Sequence, residues 1–194
     1  MTDDWRLTTT KYRRVPYSCG EMSPENPDVR VLVISGSMGS GKTTVLGEAS
    51  DILTALNVPH AAIDLDLLGM AHLPPGSPDD LTFQNLEAVW RNYLVTGVRR
   101  LLIACAMESS DSLRLRKALC GASILTCRLT AGLETMRQRV RSREPGMLQE
   151  AYVARVAELE ARLNDVHLED FSVVNEARPV TEVARAMLAL AGWV

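Results

Sequence analysis

Residues 29–44 read VRVLVISGSMGSGKTT, an apolar run that turns into a glycine-rich segment ending in lysine and threonine. The spacing from Gly36 to Gly41, Lys42 and Thr43 matches the pattern G-x-x-x-x-G-K-[ST]. The flanks are those that the pattern requires, because a predicted strand precedes it and a predicted helix follows it. The alternative is an ordinary glycine-rich turn, which would not require a strand before it and a helix after it. The stretch therefore predicts a loop that binds phosphate groups.

The residue types of this loop suit phosphate binding. Glycines can adopt positive φ and let successive backbone N–H groups approach one anion closely, and the following helix adds its own N-terminal N–H groups. Lys42 is placed to reach the β- and γ-phosphates of a nucleotide, and the Thr43 hydroxyl is placed to ligate Mg²⁺. We expect the nucleotide to contact the whole loop, which comprises Gly36, Ser37, Met38, Gly39, Ser40, Gly41, Lys42, Thr43 and Thr44.

Length and composition indicate one main domain with a single core. Residues 1–27 carry charges, threonines and three prolines without an apolar period, which predicts a flexible or surface-bound extension before a domain over residues 28–194. Cys105 and Cys127 lie in apolar runs and are expected to be reduced core residues.

The overall charge and hydropathy disfavour two classes of partner. The formal net charge of -3 does not suggest a basic nucleic-acid surface. No apolar stretch is long enough to span a bilayer, and the N-terminus lacks the apolar core of a secretion signal, so we expect a cytoplasmic protein. A homodimer is left open.

The rest of the chain alternates between short apolar runs and helical repeats. We predict further strands at about residues 60–66, 101–107, 122–129 and 171–174, and helices at about 45–56, 81–96, 112–119, 130–143, 148–163 and 180–191. Thr130 is the predicted N-cap of the fourth of these helices. This alternation predicts an α/β fold with three layers, in which helices cover both faces of a mostly parallel sheet. Ligands bind such sheets at the carboxyl ends of the strands.

Two carboxylates follow the second predicted strand, Asp64 and Asp66. One can hold Mg²⁺ through water while the other orients or deprotonates an acceptor hydroxyl. We assign Asp64 to the metal and Asp66 to the substrate, both as catalytic residues, with the choice of base left open. The alternative is that they only cap the following turn.

Residues 66–69 also spell the D-x-x-G of GTPases, but no N-K-x-D motif accompanies it.

Arginines recur at every second position of the helix that ends before Pro145. Arg139 and Arg143 share one helical face, so this pair can close on a transferring phosphoryl group. The alternative is a solvated arginine face paired with nearby glutamates.

Glu108, at the exit of the third strand, is a candidate substrate contact or a surface residue.

These motifs together resemble the small P-loop phosphotransferases of the nucleoside-monophosphate-kinase superfamily, such as adenylylsulfate kinase, chloramphenicol phosphotransferase and shikimate kinase. The resemblance runs from about Val29 to the C-terminus and rests on the segments GSMGSGKT, DLD, MRQRVRSREPG and NEARPVTEVA. It implies a five-stranded parallel sheet and an aspartate that meets the acceptor. It also implies that Arg139 and Arg143 are arginines of a lid or its hinge, and that Arg178 and Val180 border the adenine.

The sequence thus predicts a kinase that uses ATP and Mg²⁺ to phosphorylate a hydroxyl of a small metabolite or antibiotic-like molecule. The alternative is a regulatory P-loop ATPase module that binds nucleotide and has no small-molecule acceptor. Adenylylsulfate kinases usually show D-G-D followed by Asn and Arg, whereas here Asp66 is followed by Leu67 and Leu68. The motifs therefore indicate the type of reaction and leave the acceptor unnamed.

Overall fold

The computed structural model describes residues 29–194. The predicted extension over residues 1–27 lies outside the described residues, so its boundary with the domain stays a prediction. The strands are β1 (Arg30–Ser35), β2 (Ala61–Asp64), β3 (Arg100–Ala104), β4 (Ser123–Thr130) and β5 (Phe171–Val174). The helices are α1 (Lys42–Ala55), α2 (Leu65–Leu68), α3 (Leu81–Val95), α4 (Ser109–Ala118), α5 (Leu133–Arg143), α6 (Gln149–Val166) and α7 (Val180–Leu190).

The five strands form one sheet in the order β2-β3-β1-β4-β5, and every pairing is parallel. β1 lies in the middle, where Val31 stands opposite Leu101 of β3 and Ile124 of β4. The prediction of a five-stranded parallel sheet with flanking helices is therefore confirmed. All strand carboxyl ends meet at one edge, and the glycine-rich loop leaves the sheet there.

Both faces of the sheet are buried, which explains why the central strands are apolar without alternation. On one face, Leu32 and Ile34 of β1 belong to the core formed with α1 and α7. On the other face, Val31 and Val33 belong to the core formed with α3 and α4. A third, smaller cluster joins α5 to α6 through Met136, Val140, Val153 and Val156.

Several element boundaries differ from the predictions for local reasons. β2 ends at Asp64 because its Oδ1 accepts hydrogen bonds from the backbone N–H groups of Asp66 and Leu67, which starts helix α2. Asp66 therefore lies on a helix and not at a strand end. Helix α4 begins at residue 109, three residues early, because Glu108 and Asp111 form a capping box.

The prediction that Thr130 caps a helix is wrong. Thr130 is the last residue of β4, and helix α5 follows Gly132 as its N-cap without a side-chain cap of its own. Glu176 supplies the missing acceptor, because its Oε2 accepts a hydrogen bond of 3.1 Å from the Gly132 N–H. The cap thus comes from a residue 44 positions away.

Two further predictions concern the cysteine thiols and membrane-spanning helices. Cys105 and Cys127 carry free thiols, as predicted. Among residues 29–194, no helix combines the length and the apolar character needed to cross a membrane. The predicted compartment, the absence of a nucleic-acid partner and the oligomeric state stay predictions.

Candidate active site

The glycine-rich loop connects β1 to α1 and is enclosed by parts of the chain that are distant in sequence. Gly39 has φ of 78°, and a Cβ atom on it would lie 2.3 Å from the backbone oxygen of Met136 in α5. Gly41 has φ of 96°, and its Cβ would lie 2.3 Å from Nδ2 of Asn175. Glycine is therefore required at both positions by backbone conformation and by space.

Side chains from three other elements hold the loop in place. Nδ2 of Asn175, just after β5, donates a hydrogen bond of 2.7 Å to the Ser40 carbonyl oxygen. The Ser37 hydroxyl donates to the Val156 carbonyl of α6 over 3.0 Å. Arg139 of α5 donates to the Gly39 carbonyl over 3.3 Å. These hydrogen bonds hold the loop in position before any phosphate binds, and such preorganisation favours binding.

Lys42 is buried beneath the loop. Its Nζ donates hydrogen bonds to the carbonyl oxygens of Gly36 at 3.0 Å and Ser37 at 3.3 Å. Burial lowers the pKa of Lys42, and the charge of the Asp66 carboxylate raises it in part. The hydroxyl of Ser40 is also buried and has no hydrogen-bond partner among residues 29–194. A phosphate would supply acceptors for these donors, so the loop fits the group that the sequence predicts for it.

The predicted metal ligands lie side by side. The Thr43 hydroxyl donates a hydrogen bond of 2.6 Å to Oδ2 of Asp64. These are the oxygen donors that Mg²⁺ prefers, and Mg²⁺ on a nucleotide usually needs only one or two protein carboxylates besides phosphates and water. Among residues 29–194 no three His, Cys, Asp or Glu side chains form a metal cluster. The site therefore fits a Mg²⁺ ion brought in with nucleotide.

Asp66 opens onto a cavity of about 430 Å³ beside the loop. Its carboxylate remains accessible to solvent on the cavity side, yet the surrounding walls desolvate it and raise its pKa. The positive charges of Lys42 and Arg143 oppose that rise, and the Asp64 carboxylate adds to it. The acceptor cavity, as we call it, is lined by Leu65, Asp66, Gly69, Asp79, Thr82, Phe83, Cys105, Ala106, Asp111 and Arg114.

Cys105 is a neutral part of this wall. Burial raises the pKa of its thiol to about 12. The thiol therefore stays protonated at physiological pH and does not act as a nucleophile.

A second cavity of about 570 Å³ lies between the loop and α5. The donor cavity, as we call it, is lined by Gly39, Gly41, Thr44, Gln138, Arg139, Ser142 and Arg143. Arg139 is fixed in it by a hydrogen bond of 3.0 Å from Nη2 to the Asn175 carbonyl. Arg143 is more exposed and pairs with Glu144 at 2.8 Å. Arg137 and Arg141 instead pair with Glu134, so the two arginine faces have different surroundings.

The structure places three of the sequence candidates away from these cavities. Glu108 pairs with Arg162 at 3.4 Å beside a different cavity of about 390 Å³. Arg178 is exposed and lies 3.7 Å from Glu182, and Val180 begins α7 and packs against the core. Among the described residues, the linings of the donor and acceptor cavities include none of the three. Their proposed roles stay predictions.

Other residues of the site were missed by the sequence reasoning. Asn175 contacts the loop, and Glu176 bonds both Gly132 and the Thr135 hydroxyl at the start of α5. The signal that would have identified Asn175 is its place directly after the last strand, at the ligand-binding edge of the sheet. Asp111 and Arg114 of α4 carry no comparable signal, because their spacing is that of an ordinary solvated helix.

Comparison with known proteins establishes the fold. No family model matches the sequence, and no curated protein matches it. The solved structures that are similar include the tunicamycin resistance protein of Deinococcus radiodurans, with 18% identity over 86% of this chain and 97% of that chain and a TM-score of 0.63. They also include the APS kinase of Mycobacterium tuberculosis in complex with AMPPNP and APS, with 19% identity over 86% and 99% of the two chains and a TM-score of 0.60.

A third similar structure is shikimate kinase from Acinetobacter baumannii in complex with shikimate, with 17% identity over 84% of this chain and 92% of that chain and a TM-score of 0.56. The described residues therefore have the three-layer fold of P-loop kinases, and the resemblance predicted from the motifs is confirmed at the level of the fold. Identities this low do not transfer a substrate.

Proposed function

We propose that the protein is an ATP- and Mg²⁺-dependent phosphotransferase that moves the γ-phosphoryl group to a hydroxyl of a small molecule. One observation carries the proposal: Asp66 opens onto a cavity separate from the donor cavity, and its carboxylate is close enough to Lys42, Asp64 and Arg143 to feel their charges. A module that only bound or hydrolysed ATP would need no second cavity with a carboxylate of this kind in its wall.

The donor side would position the phosphates and stabilise their charge. Lys42 and the backbone N–H groups of the loop would hold the β- and γ-phosphates. Thr43 and Asp64 would hold the Mg²⁺ ion, which neutralises phosphate charge when bound. Arg139 and Arg143 would approach the transferring group from α5. We retain Arg178 and Val180 as proposed neighbours of the adenine.

The acceptor side would supply the base. The acceptor hydroxyl would lie between Asp66 and the γ-phosphorus, so that its oxygen forms the new P–O bond as the bond to the β–γ bridging oxygen breaks and ADP leaves. The hydroxyl proton would pass to the Asp66 carboxylate. A raised pKa suits this role, because a base is most effective when its pKa lies nearer the working pH.

The similar structures support small-molecule phosphorylation. The APS kinase was solved with both AMPPNP and APS, which is an arrangement of two ligands on the same fold. The other similar structures include a gluconokinase and a shikimate kinase. They favour small-molecule phosphorylation over a regulatory ATPase module. We propose no nucleic-acid or membrane partner, and we leave a homodimer open.

The test combines an acceptor library with one conservative substitution. The purified protein is incubated with ATP, Mg²⁺ and pooled hydroxyl compounds, and phosphorylated products are detected by mass spectrometry. Asp66→Asn should lower product formation by about 10²- to 10⁴-fold, the usual contribution of a general base, while ATP affinity is retained. The control is Asp51→Asn on the exposed side of α1, which should match the natural protein.

Two results would contradict the proposal. One is ATP binding without any phosphorylated product above the background of ATP hydrolysis across the library. The other is an Asp66→Asn protein that turns over ATP at the natural rate, as expected of a regulatory ATPase module.

A further inference from the structure

A groove between α3 and α4 adjoins the acceptor cavity. Its volume is about 740 Å³, larger than that of the acceptor cavity. The distal groove, as we call it, is lined by Asp79, Asp80, Phe83, Gln84, Glu87, Leu113, Arg114, Lys117 and Ala118. Asp79, Phe83 and Arg114 line both spaces. The two spaces therefore share a boundary, and a molecule bound at Asp66 can continue into the groove.

We propose that the acceptor is an elongated, polyhydroxylated molecule of at least two rings without anionic groups. One ring would present its hydroxyl to Asp66, and the next would occupy the distal groove. This inference rests on the proposed function. Sites for small molecules usually measure about 300 to 1,000 Å³, so the acceptor cavity of about 430 Å³ suits a single ring and the groove adds room for more.

The chemistry of the groove suits a ring with polar edges. Phe83 is half-buried, and Leu113 has 76% of its surface exposed, so both offer apolar surface to a ring face. Asp80 is already engaged by Gln84, and Glu87 by Arg91. Asp79 and Lys117 have no hydrogen bond or ion pair within residues 29–194, so they are available for hydroxyl groups of a ligand.

The balance of charge argues against an anionic acceptor. The acceptor cavity carries three carboxylates, from Asp66, Asp79 and Asp111, and one cation, Arg114. Arg114 lies 3.9 Å from Asp111, which partly neutralises it. A carboxylate or sulfate on the substrate would face net negative walls, whereas a neutral or amine-bearing ring would not.

The experiment compares one-ring and two-ring probes. Glucose is matched with maltose, glucosamine with its β-1,4-linked disaccharide, and glucuronate serves as the anionic one-ring probe. Affinities are measured by calorimetry in the presence of Mg²⁺ and a non-hydrolysable ATP analogue, and phosphorylation is followed with ATP. At least one two-ring probe should bind about tenfold or more tightly than its one-ring match, a typical gain from added contacts in a pocket.

Filling the groove should remove that advantage. Gln84→Trp places a large side chain in the distal groove, so the affinity for the two-ring probe should fall to that for one ring, while one-ring affinity is unchanged. Asn92→Trp is the control, because residue 92 is exposed on α3 and lines neither space. Leu113→Glu, at an exposed position, gives a second perturbation should the tryptophan variant fail to fold.

Three results would overturn the elongated acceptor. They are one-ring probes that bind as tightly as their two-ring matches, equal effects of Gln84→Trp on both kinds of probe, and no binding by any two-ring probe. Phosphorylation of glucuronate alone would also overturn it while leaving the kinase proposal intact. Failure of the kinase proposal is recognised separately, by the absence of product from the whole acceptor library.

Discussion

The two sides of the glycine-rich loop differ in how completely the protein builds them. On the donor side, Lys42 is 9% exposed and Ser37 and Ser40 are fully buried, and α5, α6 and the segment after β5 all contact the loop. On the acceptor side, Asp66, Gly69 and Asp79 are exposed, and the stretch from residue 69 to 80 contains no helix or strand. The donor site is closed by long-range contacts, whereas the acceptor site is open.

This difference follows from what each side must recognise. A triphosphate presents the same oxygen atoms whatever the acceptor is. The loop that binds it can therefore be rigid and can be hydrogen-bonded to the surrounding core. The acceptor walls come from short local structures, such as the four residues of α2 and the first turn of α4. Such elements change without cost to the sheet, because loops tolerate substitution better than the core. Substitutions should therefore affect folding on the donor side and turnover on the acceptor side.

The largest effect is expected from Gly39→Ala. The new Cβ would lie 2.3 Å from the backbone oxygen of Met136, so the loop must move away from α5. Alanine would also be held at a positive φ, which it rarely adopts. We expect a loss of more than about 2 kcal/mol in the free energy of unfolding, together with loss of measurable ATP binding. Chemical denaturation and calorimetry with ATP provide the two measurements.

Gly47→Ala is the matched control for that change. Gly47 lies within α1, and a Cβ there would meet no atom within 4 Å. Alanine should stabilise the helix by about 0.5 to 1 kcal/mol and leave ATP binding unchanged. Equal losses of stability at both glycines would show that the enclosure of the loop by α5 is not what holds the donor side together.

An intermediate effect is expected from Arg143→Gln. Arg143 lines the donor cavity and its charge acts on both Lys42 and Asp66, so it stands at the junction of the two sides. Because its side chain is more than half exposed, we expect a fall in kcat of about 100-fold, less than the 10³- to 10⁵-fold of enclosed arginine fingers. ATP affinity should change little, and steady-state kinetics with an identified acceptor separates the two quantities.

Arg137→Gln on the same helix is the comparison. Arg137 pairs with Glu134 at 3.8 Å and does not line the donor cavity, so kcat should stay within about twofold of the natural value because exposed ion pairs contribute little. If both substitutions lowered kcat equally, α5 would act through its overall stability and not through the face that carries Arg139 and Arg143.

The smallest effect is expected from Glu176→Gln, and it should depend on pH. The hydrogen bonds from the Thr135 hydroxyl and the Gly132 N–H lower the pKa of Glu176 below its ordinary value of 4.5. The carboxylate is therefore favoured in the folded state, so its contribution to stability is present above pH 4.5 and is lost as the pH falls through the lowered pKa. The variant should have a slightly lower Tm at pH 7.

Thermal unfolding followed across pH checks this prediction. The difference in Tm between the natural protein and Glu176→Gln should shrink as the pH falls below 4.5. A difference that stayed constant into acid would mean that the charge of Glu176 is not its cause. The amide keeps the shape of the side chain, so the comparison isolates the charge.

Local sequence patterns alone predicted much of this protein. The glycine spacing, the apolar runs and the turn residues placed the phosphate loop and all five strands, and β5 was predicted at its observed bounds, residues 171–174. These features depend on the backbone preferences and periodicity of neighbouring residues, which a single segment contains. The same logic placed Arg139 and Arg143 on one face of α5, because positions four apart on a helix are neighbours.

Only the tertiary structure decided which of those features meet. Asn175 bonds to Ser40 across 135 positions, Glu176 accepts a hydrogen bond from Gly132, 44 positions earlier, and Glu108 pairs with Arg162. The adjoining cavities beside Asp66 are lined by residues of α2, α3 and α4 and of the segment that follows β3. Such meetings depend on strand order and on how helices pack over the sheet, and no pattern within one segment encodes them.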